Sequence, residues 1–146
     1  MATTIDTIAE NKALAEEIAT LIWDGQFEQI DQYLTEDYVG HDPMVPEGTH
    51  NGAEMEAHFG QMREAMSDID YRISDIVGEG DLVFHRGELS FNHTGEYMGL
   101  PPTNDRVVVE DHIAWRFEDG KLAESWAQYD AVGMMGQLGL DLPGAK

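Results

Sequence analysis

DRVVVEDHIAWRFEDGKLAESWAQYD, residues 105–130, is the stretch that decides the fold. Val107, Val109, Ile113, Trp115 and Phe117 recur at every second position, and Glu118-Asp119-Gly120-Lys121 sets Asp-Gly where a tight hairpin turn requires positive φ. Two long antiparallel strands follow. Side chains alternate across a strand, so the odd positions of the first one share a face that is apolar except for a single carboxylate, Asp111. A carboxylate in that setting is either paired within the core or aimed into a cavity.

The same period of two extends backwards. A strand from Leu82 to about His93 carries Val83, His85, Gly87, Leu89 and Phe91 on one face, and Gly78-Glu79-Gly80-Asp81 turns it back onto a strand from Ile69 in which Tyr71, Ile73 and Val77 alternate with polar residues. A glycine- and proline-marked connection over 94–103 links the outer strands to 105–130. Upstream the period becomes helical. Thr7-Ile8-Ala9-Glu10 has the form of a capping box, and Leu14, Ile18, Leu21 and Ile22 predict a first helix to about Asp24, with Gly25 as its stop. Phe27, Ile30 and Leu34 predict a second helix ending near Thr35, and Gly40, Pro43, Pro46 and Gly48 mark 37–49 as loop. Asn51 and Glu54 open a third helix whose stripe is Met55, Phe59, Met62 and Met66. A short apolar helix over 131–138 and a loose tail from Leu140 to Lys146 close the chain. Helices followed by antiparallel strands give an α+β domain: a strongly curved sheet closed on one side by helices, which makes a cone with an inside.

With 146 residues and 42% hydrophobic content the chain suits a single domain, 1–146, with its core over about 8–139. Eight basic residues stand against 29 acidic ones, a formal charge of -21, and only Lys12, Lys121 and Lys146 are lysines. Such a surface repels phosphate backbones and anionic lipid, which argues against nucleic acid and membrane as partners. The self-repulsion needs screening, and the reading is a salt-adapted, halophilic cytoplasm rather than an ordinary acidic protein. No run has signal-peptide character or approaches the roughly 20 apolar residues of a membrane helix, so the expected location is cytoplasmic. Without cysteine there is no thiolate nucleophile or thiolate metal site.

Parity names the candidates. If the odd faces of the long strands line the cone, His85, Phe91, Asp111, Ile113, Ser125, Ala127 and Tyr129 share its wall, with Trp23, Tyr38, His41 and Phe59 from the helical side. A His85/Asp111 pair across neighbouring strands either moves a proton near neutral pH or fixes strand register. Asp42, just before Pro43, is either a proton acceptor with its pKa raised by desolvation or a turn residue accepting backbone hydrogen bonds. His41, His50 and His58 with Asp42 match no metal-ligand spacing, so no metal is expected. His112, Arg116, Trp126 and Asp130 should point to the convex side, where an exposed tryptophan suits a homodimer contact.

YVGHDP at 38–43, HTGEYMGLPPT at 93–103, RFEDGK at 116–121 and QLG at 137–139, taken with the order of elements, resemble the SnoaL-like polyketide cyclase family of the nuclear-transport-factor-2-like superfamily, over about Asn11 to Gly139. The resemblance implies a conical α+β barrel and a small hydrophobic carbonyl compound as ligand. It also implies a cofactor-free intramolecular aldol closure, in which an aspartate on the last strand is the acid/base. That aspartate's place falls on Ala127, the place of a cyclase histidine falls on Ile113, and the histidine that many relatives carry two residues before the acid is Ser125. Asp42 falls where the related ketosteroid isomerases hold their general base. The family comparison therefore implies either a cyclase or isomerase working through Asp42 or the His85/Asp111 pair, or a binding module that keeps the pocket without catalysis. Hydrolytic epoxide opening would need an Asp-Arg-Asp set inside the cone, and Arg72 and Arg86 read as outward-facing.

Overall fold

The computed structural model describes residues 4–140. In chain order the elements are α1 (Thr4–Asp24), α2 (Phe27–Ile30) running into a 3₁₀ turn (Asp31–Tyr33), β1 (Leu34–His41), β2 (Thr49–His50), α3 (Gly52–Glu64), β3 (Met66–Glu79), β4 (Leu82–His93), β5 (Arg106–Glu118), β6 (Lys121–Tyr129) and α4 (Ala131–Gln137). The six strands form one curved sheet in the order β2-β1-β6-β5-β4-β3. Every neighbouring pair is antiparallel except β1 with β6. This is the α+β cone that the alternating pattern predicts.

The hairpin of 105–130 forms as read. Asp119 and Gly120 both take positive φ, and Ile113 pairs with Ala127, Trp115 with Ser125 and Asp111 with Tyr129. On β4 the odd positions from Val83 to His93 are all buried, and Gly87 lies opposite Asp111. Helix α1 turns Ala15, Ile18, Ala19, Leu21 and Ile22 inward onto Val83, Trp115, Phe117 and Leu122. Each fully buried Leu, Ile or Phe there contributes about 1.5–3 kcal/mol. A second cluster, Met62, Met66, Leu89, Phe91, Val107, Val109, Met134 and Leu138, fills the other end. Gly25 ends α1 at φ 75°. Asn51 accepts from the Glu54 N–H at 2.9 Å while Glu54 accepts from the Asn51 N–H at 3.0 Å, so α3 begins with both halves of a capping box.

Several boundaries differ from expectation, each for a physical reason. Helix α1 already includes Thr7, so the capping box expected there lies inside the helix. The predicted second helix stops at Ile30, and 34–41 is a strand rather than helix end and loop. Leu34, Tyr38 and Gly40 face inward along it. Its hydrogen bonds are satisfied by β6, a partner more than 80 residues away, which no local pattern encodes. Met66 starts β3 instead of ending the stripe of α3. An irregularity between Ile73 and Asp75 shifts the parity of β3, so Ile76 turns inward and Val77 outward. Of the predicted tail, residues 141–146 lie outside the described residues.

Candidate functional site

Between the two core clusters lies a cavity of about 90 Å³, lined by residues from α1, β1, β2, α3, β4, β5, β6 and α4. Most of the wall is aliphatic, aromatic or thioether. Ten of the predicted site residues line it: Trp23, Tyr38, His41, Asp42, Phe59, Asp111, Ile113, Ser125, Ala127 and Tyr129. Among the described residues no arginine or lysine does. Arg72 and Arg86 are on the outside, salt-bridged to Glu88 and to Asp75, which removes the Asp-Arg-Asp arrangement.

Asp42 follows β1 and is buried, and both of its oxygens are engaged. Oδ1 accepts from the Met44 N–H at 2.9 Å, the turn bond that Asp before Pro favours, and from the Tyr129 hydroxyl at 3.5 Å. Oδ2 meets His58 Nε2 at 3.1 Å. Burial alone would raise the Asp42 pKa. The His58 hydrogen bond, the Met44 N–H and the electrostatic attraction of His58 outweigh burial and hold it below the ordinary carboxylate value, a correction to the expected upward shift.

His50 is buried beside this group. Its Nδ1 lies 3.3 Å from the Asn51 carbonyl, to which it can only donate, and its pKa is lowered, chiefly by burial. A neutral ring with Nε2 as acceptor follows. Gly40 makes room for it: a Cβ at that position would stand 2.3 Å from His50 Nε2 and 2.6 Å from the Tyr38 hydroxyl. Tyr38 bonds Ser125 at 2.9 Å and is pushed up to about 12, chiefly by burial. Tyr129 is likewise raised by burial and by Asp42. Both phenols keep their protons at neutral pH and remain donors.

The second carboxylate, Asp111, accepts from the Tyr71 hydroxyl at 2.8 and 3.0 Å. The same hydroxyl lies 2.6 Å from His85 Nε2, and the Trp115 indole N–H reaches His85 Nδ1 at 2.8 Å. His85 itself is fully buried behind the wall and stands 3.7 Å from Asp111, so Tyr71 mediates what parity alone reads as a direct His85/Asp111 pair. Phe91 also lies behind the wall, in the second core cluster. His41 borders the cavity, but its ring stacks on Trp126 at 5.4 Å and bonds Glu124 at 2.7 Å.

Sequence reasoning weighed His50 and His58 only as metal ligands and so missed them as partners of the carboxylate. A signal existed for His58: it sits three residues after Met55 and four before Met62, on the inward stripe of α3. Tyr71 carried the inward parity of β3, but nothing local announced that its hydroxyl ends between His85 and Asp111.

Known proteins share this architecture. The family model for SnoaL-like polyketide cyclases matches residues 12–138. Nogalonic acid methyl ester cyclase of Streptomyces nogalater is 29% identical over 118 residues, 79% of this chain and 87% of that protein. Among solved structures, AclR from Streptomyces galilaeus superposes with a TM-score of 0.80 at 27% identity, covering 94% of this chain and 87% of that one. IdmH from Streptomyces antibioticus gives 0.77 at 26% identity, covering 89% of this chain and 99% of that one. With a conical sheet around a largely apolar cavity and a family match over most of its length, the chain belongs to the SnoaL-like polyketide cyclase family.

Proposed function

We propose that the chain binds a small hydrophobic carbonyl compound in the cavity and rearranges it by cofactor-free acid/base chemistry, an aldol ring closure or an isomerisation, with Asp42 as proton acceptor. The observation that carries this reading is a buried, ionised carboxylate beside two protonated phenols in a largely apolar cavity. In the reaction, the C–H bond next to the carbonyl breaks, its proton goes to Asp42, and its electron pair forms the enolate. The enolate carbon then attacks a second carbonyl carbon, whose π electrons pass to its oxygen and take the proton back from Asp42, or it regains that proton at another position. A carboxylate held at low pKa is a weak base, so the enolate oxygen needs donors, and Tyr38 and Tyr129 are the groups available to supply them. The test is deuterium incorporation at the α-carbon of a panel of small ketones in heavy water. Binding without any incorporation favours the second reading, a ligand-binding module, which draws support from Ala127 standing at the place of the family's acid.

We further infer a salt-screened homodimer in a cytoplasmic, high-salt setting. Phe84, Ala114 and Trp126 are in register on the outer face of three adjacent strands, and Trp126 is 36% exposed. A second copy packed on that row would cover it. At a formal charge of -21 per chain, association is opposed unless salt shortens the Debye length. Two outcomes are expected. The melting temperature rises between 0.1 and about 1 M salt, and a fall would remove the salt-adapted reading. Trp126→Glu sediments as a monomer where the parent chain is a dimer, and a monomeric parent would remove the dimer.

A further inference from the structure

The groups around Asp111 form a chain of hydrogen bonds whose direction is fixed at both ends. An indole N–H only donates, so Trp115 forces His85 Nδ1 to accept, which leaves the ring's proton on Nε2. The carboxylate only accepts, so the single Tyr71 hydrogen is committed to Asp111 and the Tyr71 oxygen must accept from His85. The two constraints agree. His85 is thereby a neutral Nε2–H donor and cannot shuttle a proton without breaking one of the bonds. Asp111 lies at the end of the chain and offers lone pairs to the cavity.

The structure assigns Asp111, we propose, as the specificity-determining acceptor of the cavity: it selects ligands that present a hydroxyl group, with Tyr71, His85 and Trp115 as positioning residues. With no arginine or lysine among the described residues of the wall, an anionic ligand would meet two carboxylates and no compensating cation there, so the favoured ligand is uncharged. A phenolic or enolic hydroxyl suits the wall, because its ring can pack against apolar side chains while its O–H bonds the free face of Asp111. Opposite Asp111 in register is Tyr129, which reaches Asp42, so a hydroxyl held at Asp111 would place the rest of the ligand toward the proton acceptor.

Single-ring probes are matched to a cavity of about 90 Å³: phenol as donor, toluene with no polar group and benzonitrile as acceptor only. Affinities are measured by calorimetry or by amide shifts in NMR titrations of the full chain. Phenol should bind roughly tenfold more tightly than toluene, the range of one hydrogen bond to a charged acceptor. Asp111→Asn gives its side-chain oxygen to Tyr71 and turns an N–H toward the ligand, so the phenol-to-benzonitrile ratio should fall about tenfold. Tyr71→Phe keeps the carboxylate but frees it to rotate, and the phenol preference should shrink. Equal affinity for phenol and toluene, or an unchanged ratio in Asp111→Asn, would overturn the proposal. Nitrogen shifts of His85 in the parent chain give a check that needs no variant: the Nε2–H tautomer is expected, and the Nδ1–H tautomer would overturn the fixed direction. The inference rests only on the cavity being occupied. Binding needs no turnover, so a missing α-proton exchange sinks the proton-transfer reading and leaves this one standing, whereas a missing phenol preference does the reverse.

Discussion

Replacing Asp42 with asparagine is expected to cut α-proton exchange by about 100- to 10,000-fold, the range lost with a general base, while the fold survives. The amide keeps an oxygen for the Met44 N–H and remains within reach of His58, so the turn that Asp42 organises persists and only the proton-accepting charge is lost. The melting temperature of the variant should therefore fall only by the modest share that the ionised carboxylate itself contributes. A variant that unfolds early would assign Asp42 to the turn rather than to chemistry. The pH dependence gives a second, independent readout. Because the folded pKa of Asp42 is depressed, its base form is present throughout the neutral range, and exchange should hold steady down to below the ordinary carboxylate value of about 3.9. The stability sign agrees: a depressed carboxylate stabilises the fold above its unfolded pKa, and that contribution is lost as pH falls through the lower, folded value. His50 acts in the same sense, in a higher pH window. Its folded pKa lies below the unfolded one, so protons favour the unfolded chain and stability declines as pH drops below about 6.5. An acid limb of exchange near pH 6 would point to a histidine, not Asp42, as the base.

Much of this was legible in the sequence wherever the physics is local. Strands β4, β5 and β6 announce themselves because a half-buried strand repeats at two, and that period also fixed which residues face inward, hence five of the ten predicted cavity residues, Asp111, Ile113, Ser125, Ala127 and Tyr129. What stayed hidden depends on groups far apart in the chain. Strand β1 reads as loop because its glycine and the prolines just beyond it dominate the local signal, while its pairing lies on β6. The direction of the Asp42 pKa could not be read either. Burial and hydrogen bonding push a carboxylate in opposite senses, and the deciding donor, His58, comes from α3, 16 residues on. His85 shows a limit of parity itself: facing inward is not the same as reaching the cavity, and Tyr71 with Trp115 stands between.

Gly87→Ala is the substitution expected to cost the most stability, because Gly87 gives the Tyr71–Asp111 contact its space. Its backbone is ordinary extended strand, so the cost comes from volume and not from φ. A Cβ there would stand 2.3 Å from the Tyr71 hydroxyl oxygen and 2.7 Å from Asp111 Oδ1. Neither neighbour can give cheaply. Moving Tyr71 strands the fully buried His85 N–H, and moving Asp111 strips a carboxylate of its donor against an apolar wall. Overpacking together with one unpaired buried group amounts to about 2–4 kcal/mol, or roughly 6–14 °C in melting temperature for a chain of this size. A double-mutant cycle with Tyr71→Phe isolates the cause. Once the hydroxyl is gone the chain of bonds is already broken and the ring can slide, so Gly87→Ala should cost less on that background than on the parent. Additive losses would mean that the methyl group clashes with something other than this network, and Asp111 would then need another explanation for its place in an apolar face.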